Sequence, residues 1–301
     1  MRWSIATLLA LGSGLVSAVP SPIDRRLTTT EAISSSTQSS FTIYGQFARA
    51  AYCSVDSTWT CGGACSAISG FTVYAYGGDG NSVPKWFVGY WATQKTAVVG
   101  HEGTDPTKFL SLLTDAEVFS GNFDKTLFPG VSTSIYVHDG FRDAQAASAT
   151  QVLAAVQKIF SDHSISSVTV TGHSLGSAIS TIDLVYLKLH LPSSTTFKAV
   201  LHGTPRVGNQ AFADYIDANF SDFTRITNDN DPIPVVPGRF LGYHHASGED
   251  HIESDGSWRH CDGQDNTSTL CSTGYVPDIL FSNIIDHLGP YNGVWIGTLF
   301  C

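Results

Sequence analysis

Two hydrophobic rhythms organise this chain. Short runs rich in β-branched and aromatic residues predict strands at residues 71–76, 86–91, 96–100, 167–171, 198–202 and 223–227. Between the later runs the period lengthens. Within residues 141–160, Val152, Leu153, Val156, Ile159 and Phe160 recur at helical spacing, and helices are also predicted over 174–191 and 209–220. Strands alternating with helices in the second half imply right-handed crossovers and a mostly parallel central sheet, an α/β architecture. Neither an internal repeat nor a Pro- or Ser-rich linker interrupts the pattern, so one large domain is expected.

The first residues follow a different logic. Met1 and Arg2, an apolar run from Ile5 to Val16 and the small-residue exit Val16-Ser17-Ala18 have the form of a secretory signal over residues 1–18. The run is too short to serve as a permanent membrane span. A polar piece ending in Arg25-Arg26 reads as a pro-segment over 19–26, with a surface loop as the alternative, and 27–301 is then the single domain. Without residues 1–26, 13 of the 16 basic and 25 of the 26 acidic residues remain, a net charge of about −12. That charge argues against nucleic acid as a partner and against anchoring to anionic membranes, so lipid contact would rest on apolar surface. No later segment reads as transmembrane, and no stable membrane anchor is expected.

Secretion changes the meaning of the six cysteines. In an oxidising compartment they predict disulfides, and six allow 15 pairings. Spacing favours Cys61 with Cys65, Cys261 with Cys271 across a Gly-, Asn- and Ser-rich stretch, and Cys53 with Cys301 joining the two ends. Zinc is the competing use, but no Cys-x-x-Cys pair is present. Sequons at Asn219 and Asn266 fit the same compartment as glycosylation candidates.

Chemistry concentrates at Val170-Thr-Gly-His-Ser-Leu-Gly-Ser177. A serine between two glycines, after a strand pattern and before a helix pattern, has the form of a nucleophile elbow. The sharp turn and close backbone approach need small residues, here Gly172 and Gly176. A serine hydroxyl needs a histidine to take its proton and a carboxylate to fix that histidine's tautomer, in chain order Ser, Asp, His. Of the 11 histidines, His244, His245, His251, His260 and His287 follow the candidate acid, and His287 stands nearest the C-terminus in Ile-Ile-Asp-His-Leu-Gly. Asp231, ahead of the rigid Pro232, is the candidate acid and Asp229 its rival.

The ordered set Thr171-Gly-His-Ser-Leu-Gly176, Thr204-Pro-Arg-Val-Gly-Asn209, Asn230-Asp-Pro-Ile-Pro-Val-Val-Pro237 and Asp286-His-Leu288, with Val137-His-Asp-Gly-Phe141, resembles the secreted fungal triacylglycerol lipases of the class 3 family. The likeness runs from about Phe47 to Cys301. It implies an α/β-hydrolase fold, Ser174 as nucleophile, Asp231 as acid, His287 as base and the same three disulfides, with His173 and His138 structural. It also implies that Thr104, after Gly100-His-Glu-Gly, joins the backbone amide of Leu175 in an oxyanion hole. Glu102 stands where an arginine is usual in the family, which opens the question of what it pairs with. His101-Glu102 is not a metal motif, because residue 105 is aspartate.

After Thr104, Asp105 can cap a helix that opens on Pro106 and carries Phe109, Leu110, Leu112 and Leu113 on one face. Periodicity alone reads this stripe as core. In the resembled family the segment is a mobile lid whose apolar side covers the site in water and turns toward lipid at an interface. Ile233, Val235, Val236, Val207 and Leu288 are expected near an acyl pocket.

The expected activity is cleavage of acylglycerol esters through an acyl-enzyme, with no cofactor. A feruloyl esterase on the same scaffold would share the motifs but carry a polar lid. A catalytically dead binding protein would lack a triad member, and a Ca²⁺ module using Glu249-Asp250-His251 and Asp255 has only acidic composition in its favour.

Overall fold

The computed structural model describes residues 29–114 and 119–301. The expected signal and pro-segment, and Asp115 at the end of the expected lid, lie outside the described residues. Thirteen strands are found among them: Thr30–Ala32 (β1), Phe71–Gly77 (β2), Trp86–Trp91 (β3), Thr96–His101 (β4), Ser120–Gly121 (β5), Val137–His138 (β6), Ser167–His173 (β7), Thr196–His202 (β8), Gly208–Asn209 (β9), Phe223–Asn228 (β10), Tyr243–His244 (β11), Glu249–Ile252 (β12) and Trp258–Cys261 (β13). The helices are Ser35–Ala50 (α1), Gly63–Ser66 (α2), Pro106–Thr114 (α3), Asp139–Ala146 (α4), Ala149–His163 (α5), Leu175–His190 (α6), Gln210–Asn219 (α7) and Ser272–Tyr275 (α8).

Nine strands form the main sheet in the order β1-β13-β12-β10-β8-β7-β4-β3-β2. Its centre, β12-β10-β8-β7-β4, is parallel, and antiparallel pairs close both edges. Alternate side chains of the parallel strands feed two cores. Ala97, Val99, Val168, Val170, Ala199 and Leu201 join the core shared with α3 to α7. Val98, Val200 and Ile226 face the other way, onto α1 and its Phe47 and Ala48. Burial on both faces explains why these strands read as nearly unbroken apolar runs.

All six predicted strands are present. The helix expected over 141–160 is instead two, with Ser148 between them as the cap residue of α5 and its hydroxyl 3.3 Å from the Gln145 carbonyl. Gln145 itself is drawn into the core, where its amide donates to Asp183 at 2.8 Å. The antiparallel edge β12–β13–β1 lies outside the six predicted strands, and it contains Glu249-Asp250-His251, the residues of the alternative cation site. Those residues are buried strand positions: Glu249 accepts from Ser272 N–H at 2.7 Å and Asp250 pairs with His260 at 2.8 Å. Among the described residues no group of three or more His, Cys, Asp or Glu is arranged to hold a metal ion.

Three disulfides are formed, Cys53–Cys301, Cys61–Cys65 and Cys261–Cys271, as spacing favoured. The first spans 248 residues and fastens the C-terminus beside the end of α1. Asn266 is 1% exposed, and its side-chain nitrogen donates to the carbonyls of Thr29 and Asp262. In the folded chain it is therefore a poor glycan acceptor, whereas Asn219 at the end of α7 is half-buried. Among the described residues no helix is long and apolar enough to cross a membrane.

Candidate functional site

The site gathers where β7 and β8 end. β7 leads through Gly172 and His173 to Ser174, whose φ of 59° and ψ of −131° lie outside the ordinary regions, and α6 begins at the next residue. Such strain in a non-glycine residue marks a position held by its surroundings. The flanking glycines are required by contact: a Cβ on Gly172 would lie 2.5 Å from the Gly176 backbone, and one on Gly176 would lie 2.2 Å from the His101 carbonyl oxygen. Ser174 N–H donates to the His202 carbonyl at 3.0 Å, tying the turn to β8.

The candidate acid and candidate base come from two other loops. Asp231 follows β10, with one oxygen accepting from Ile233 N–H at 2.8 Å and the other lying 2.8 Å from His287 Nδ1. His287 sits on a single 3-10 turn, Asp286–Leu288, anchored by Asn228, whose amide donates to the Asp286 carbonyl at 2.8 Å. Because Asp231 accepts, Nδ1 carries a proton and Nε2 presents a lone pair. Ser174 and His287 are each 0% exposed, and neither Ser174 Oγ nor His287 Nε2 has a hydrogen-bond partner. Two buried polar atoms left open in one closed site are an exception that asks for a functional account. The rival, Asp229, bonds the neighbouring Asn230 side chain at 2.9 Å and is not the partner of His287.

Gly203 completes the floor and was not picked out from sequence. Its φ is +55°, and a Cβ there would meet the His287 ring at 2.7 Å. On the opposite side, Gly103 brings the loop that carries Thr104 against Ser174, since its Cβ would lie 3.0 Å from Ser174 Cβ. Leu175 heads α6, so its amide is among the unpaired N–H groups of a helix start. Glu102 pairs with Lys85: its carboxylate accepts from Lys85 N–H at 2.9 Å and from Lys85 Nζ at 3.2 Å.

The two motif histidines have structural surroundings. His138 caps α4, its Nδ1 accepting from Gly140 N–H at 3.1 Å, and burial lowers its pKa to about 4, which keeps that lone pair available. His173 is bonded at both ring nitrogens, to Tyr52 and to the His287 carbonyl. Arg206 of the Thr-Pro-Arg-Val-Gly-Asn motif is buried, donates to Asp265 at 2.8 Å and to the carbonyls of Val235 and Pro237, and so fastens the segment after Asp231 to the 261–271 disulfide loop. Sequence reading missed Tyr52, Gly203 and Asp265, which carry no local signature.

Asp105 caps α3 through Thr107 N–H at 2.9 Å, and Pro106 opens the helix. Phe109 and Leu113 are 2% and 0% exposed and pack inward, with the Phe109 ring 5.9 Å from that of Phe141; Leu110 is half-buried, and Leu112 lies on the same helix. Beside Leu113 opens a cavity of about 480 Å³ walled by Val235, Val236, Val276 and Ile279, with Phe240 at its rim 89% exposed. Of the expected pocket residues, Val235 and Val236 line it; Ile233, Val207 and Leu288 do not.

A family model described as lipase, class 3, matches residues 98–241. A secreted mono- and diacylglycerol lipase of Malassezia globosa is 31% identical over 224 residues, 73% of this chain and 71% of the relative. A secreted mono- and diacylglycerol lipase of Malassezia restricta is 33% identical over 207 residues; the match covers 67% of this chain but only 64% of the relative's length. Among solved structures, the lipase of Rhizopus microsporus var. chinensis superposes with a TM-score of 0.75 at 26% identity, covering 97% of this chain and 99% of its own.

Proposed function

The chain belongs to the class 3 lipase family, and from that premise we propose that it is a secreted serine hydrolase that cleaves acylglycerol esters. One observation carries the reading: Asp231 pins the His287 ring by Nδ1, while His287 Nε2 and the Ser174 hydroxyl are both buried and unbonded. In the proposed sequence Ser174 Oγ attacks the ester carbonyl carbon and its proton passes to His287 Nε2. The oxyanion that forms is held by the amides of Leu175 and Thr104. Collapse breaks the ester bond, and the imidazolium gives its proton to the departing alcohol oxygen. Water, deprotonated by the same nitrogen, then releases the fatty acid and restores Ser174.

Full burial of Ser174 and His287 supports a closed form of the enzyme with α3 as lid. Its inward anchors, Phe109 and Leu113, are apolar, which favours lipid over a feruloyl ester. Displacing α3 would expose those residues beside the cavity walled by Val235 and Val236, giving an acyl chain an apolar path and the molecule an apolar face toward lipid. The acidic net charge fits docking on neutral lipid better than on an anionic membrane. Secretion is supported by the N-terminal pattern and by the compartment of the named relatives.

Purified enzyme and Ser174→Ala should be assayed on tributyrin, long-chain mono- and triacylglycerols and methyl ferulate. Acylglycerol turnover that vanishes in the alanine variant is expected. Preference for methyl ferulate would overturn the lipid assignment, and equal turnover by both proteins would overturn the nucleophile.

A further inference from the structure

A second imidazole stands beside the proposed base and takes no part in ester attack. The ring of His173 lies 4.3 Å from that of His287, centroid to centroid. His173 Nε2 is 2.6 Å from the His287 carbonyl oxygen, and His173 Nδ1 is 2.7 Å from the Tyr52 hydroxyl. A carbonyl oxygen only accepts, so Nε2 must carry the proton. Nδ1 is then a lone pair, and the Tyr52 hydroxyl must donate to it. Each bond in the chain therefore has one allowed direction. Burial, reinforced by the neighbouring His287, holds the His173 pKa well below its ordinary value, so the ring is neutral with a single proton to place.

The base needs such support because of where it sits. A lone 3-10 turn supplies few backbone bonds of its own, and the His287 carbonyl receives side-chain donors: His173 Nε2–H and, at 3.0 Å, the Tyr291 hydroxyl. Asp231 fixes the ring at one end of His287, and these donors fix the main chain at the other. Tyr52 is itself held in place. Lys85 Nζ donates to its carbonyl at 3.1 Å, and its hydroxyl lies so close to Gly103 that a Cβ there would stand 2.0 Å away.

We propose that Tyr52 and His173 are positioning residues whose one-way relay, Tyr52 O–H to His173 Nδ1 and His173 Nε2–H to the His287 carbonyl, aims His287 Nε2 at Ser174. The inference rests on reading Ser174, Asp231 and His287 as the triad, and it adds a role for a motif histidine otherwise counted as packing.

Long-range ¹H–¹⁵N spectra of histidine-labelled enzyme test the relay directly, the His173 signals being those absent from the His173→Gln spectrum. The Nε2–H tautomer is expected in the parent and in Tyr52→Phe; an Nδ1–H tautomer in the parent overturns the relay. On a dissolved short-chain ester, His173→Phe should lose roughly 10- to 100-fold in kcat with KM within about twofold. His173→Gln, whose amide can donate to the same carbonyl, should recover most of that loss. Tyr52→Phe should lose roughly 3- to 10-fold in kcat alone and add nothing on the His173→Phe background. Phe and Gln variants that lose kcat equally, or a His173→Phe enzyme within twofold of the parent, would overturn the proposal. If His173→Phe does not fold, the parent tautomer and the Tyr52→Phe kinetics decide. Failure of the lipase reading is separate, because it appears as a parent without ester turnover while the tautomer is still measurable.

Discussion

Asp231 and His287, 56 residues apart, meet at 2.8 Å with both side chains sealed from solvent. This contact fixes the imidazole's tautomer, and it gives the first prediction. Asp231→Asn keeps the shape but can donate to Nδ1, which would leave the proton on Nε2, where it blocks the base. Steady-state kinetics should show kcat lower by roughly 10³- to 10⁴-fold with the melting temperature little changed. A loss under tenfold would mean that Asp231 does not set the tautomer.

Gly176→Ala should damage folding before it damages chemistry. The added methyl would stand 2.2 Å from the His101 carbonyl oxygen and 2.8 Å from the Glu102 backbone, atoms of a central strand and its exit that cannot yield cheaply. Denaturant unfolding should show a loss of roughly 1–3 kcal/mol or more. A variant of parental stability would mean that β4 and α6 are not packed as closely as described.

Leu113→Asp tests the lid. It puts a charge on a side chain that is buried in the closed form, and the open form would present that charge to lipid. Activity on emulsified long-chain acylglycerol should fall more than activity on a dissolved short ester, measured as the ratio of the two rates. An unchanged ratio would make α3 ordinary core.

The six strand patterns and the elbow could be read along the chain because each depends on local pattern, whereas Asp231 and His287 stand out from Asp229 and the other late histidines only through the likeness to the class 3 lipases. Less could be read where polar residues are buried by pairing. Glu249 and Asp250 look like a solvated loop until Ser272 N–H and His260 are placed against them. The break between α4 and α5 at Ala147 and Ser148 falls inside a continuous apolar period, so hydrophobic periodicity does not register it. Tyr52 sits 121 residues from the His173 it contacts, with no motif around it.

Acid should weaken the fold. Burial lowers the pKa of His202 to about 3 and of His138 to about 4, and it holds His173 and His245 well below their ordinary value. In the unfolded chain these groups titrate near 6.5. As pH falls from about 6.5 toward 4, the unfolded state therefore binds protons that the folded state refuses, and stability drops, by up to roughly 1.4 kcal/mol per pH unit for each such histidine. His260, raised by its hydrogen bond to Asp250, opposes the trend with one proton. Urea midpoints measured at pH 7, 6, 5 and 4 should decrease steadily, and His202→Gln should flatten the decrease. Stability that stays level or rises on acidification would contradict the neutral buried imidazoles.

The central claim is that the Ser174 hydroxyl, bent out of ordinary backbone geometry beside His287, is the activated nucleophile. Covalent trapping tests it most directly: enzyme treated with a long-chain alkyl nitrophenyl phosphonate, then intact-mass and peptide mass spectrometry. The account predicts a single adduct on Ser174, formed in step with loss of esterase activity and absent from Ser174→Ala and, within the same reaction time, from His287→Ala. Labelling of another residue, or inactivation with Ser174 unmodified, would contradict it.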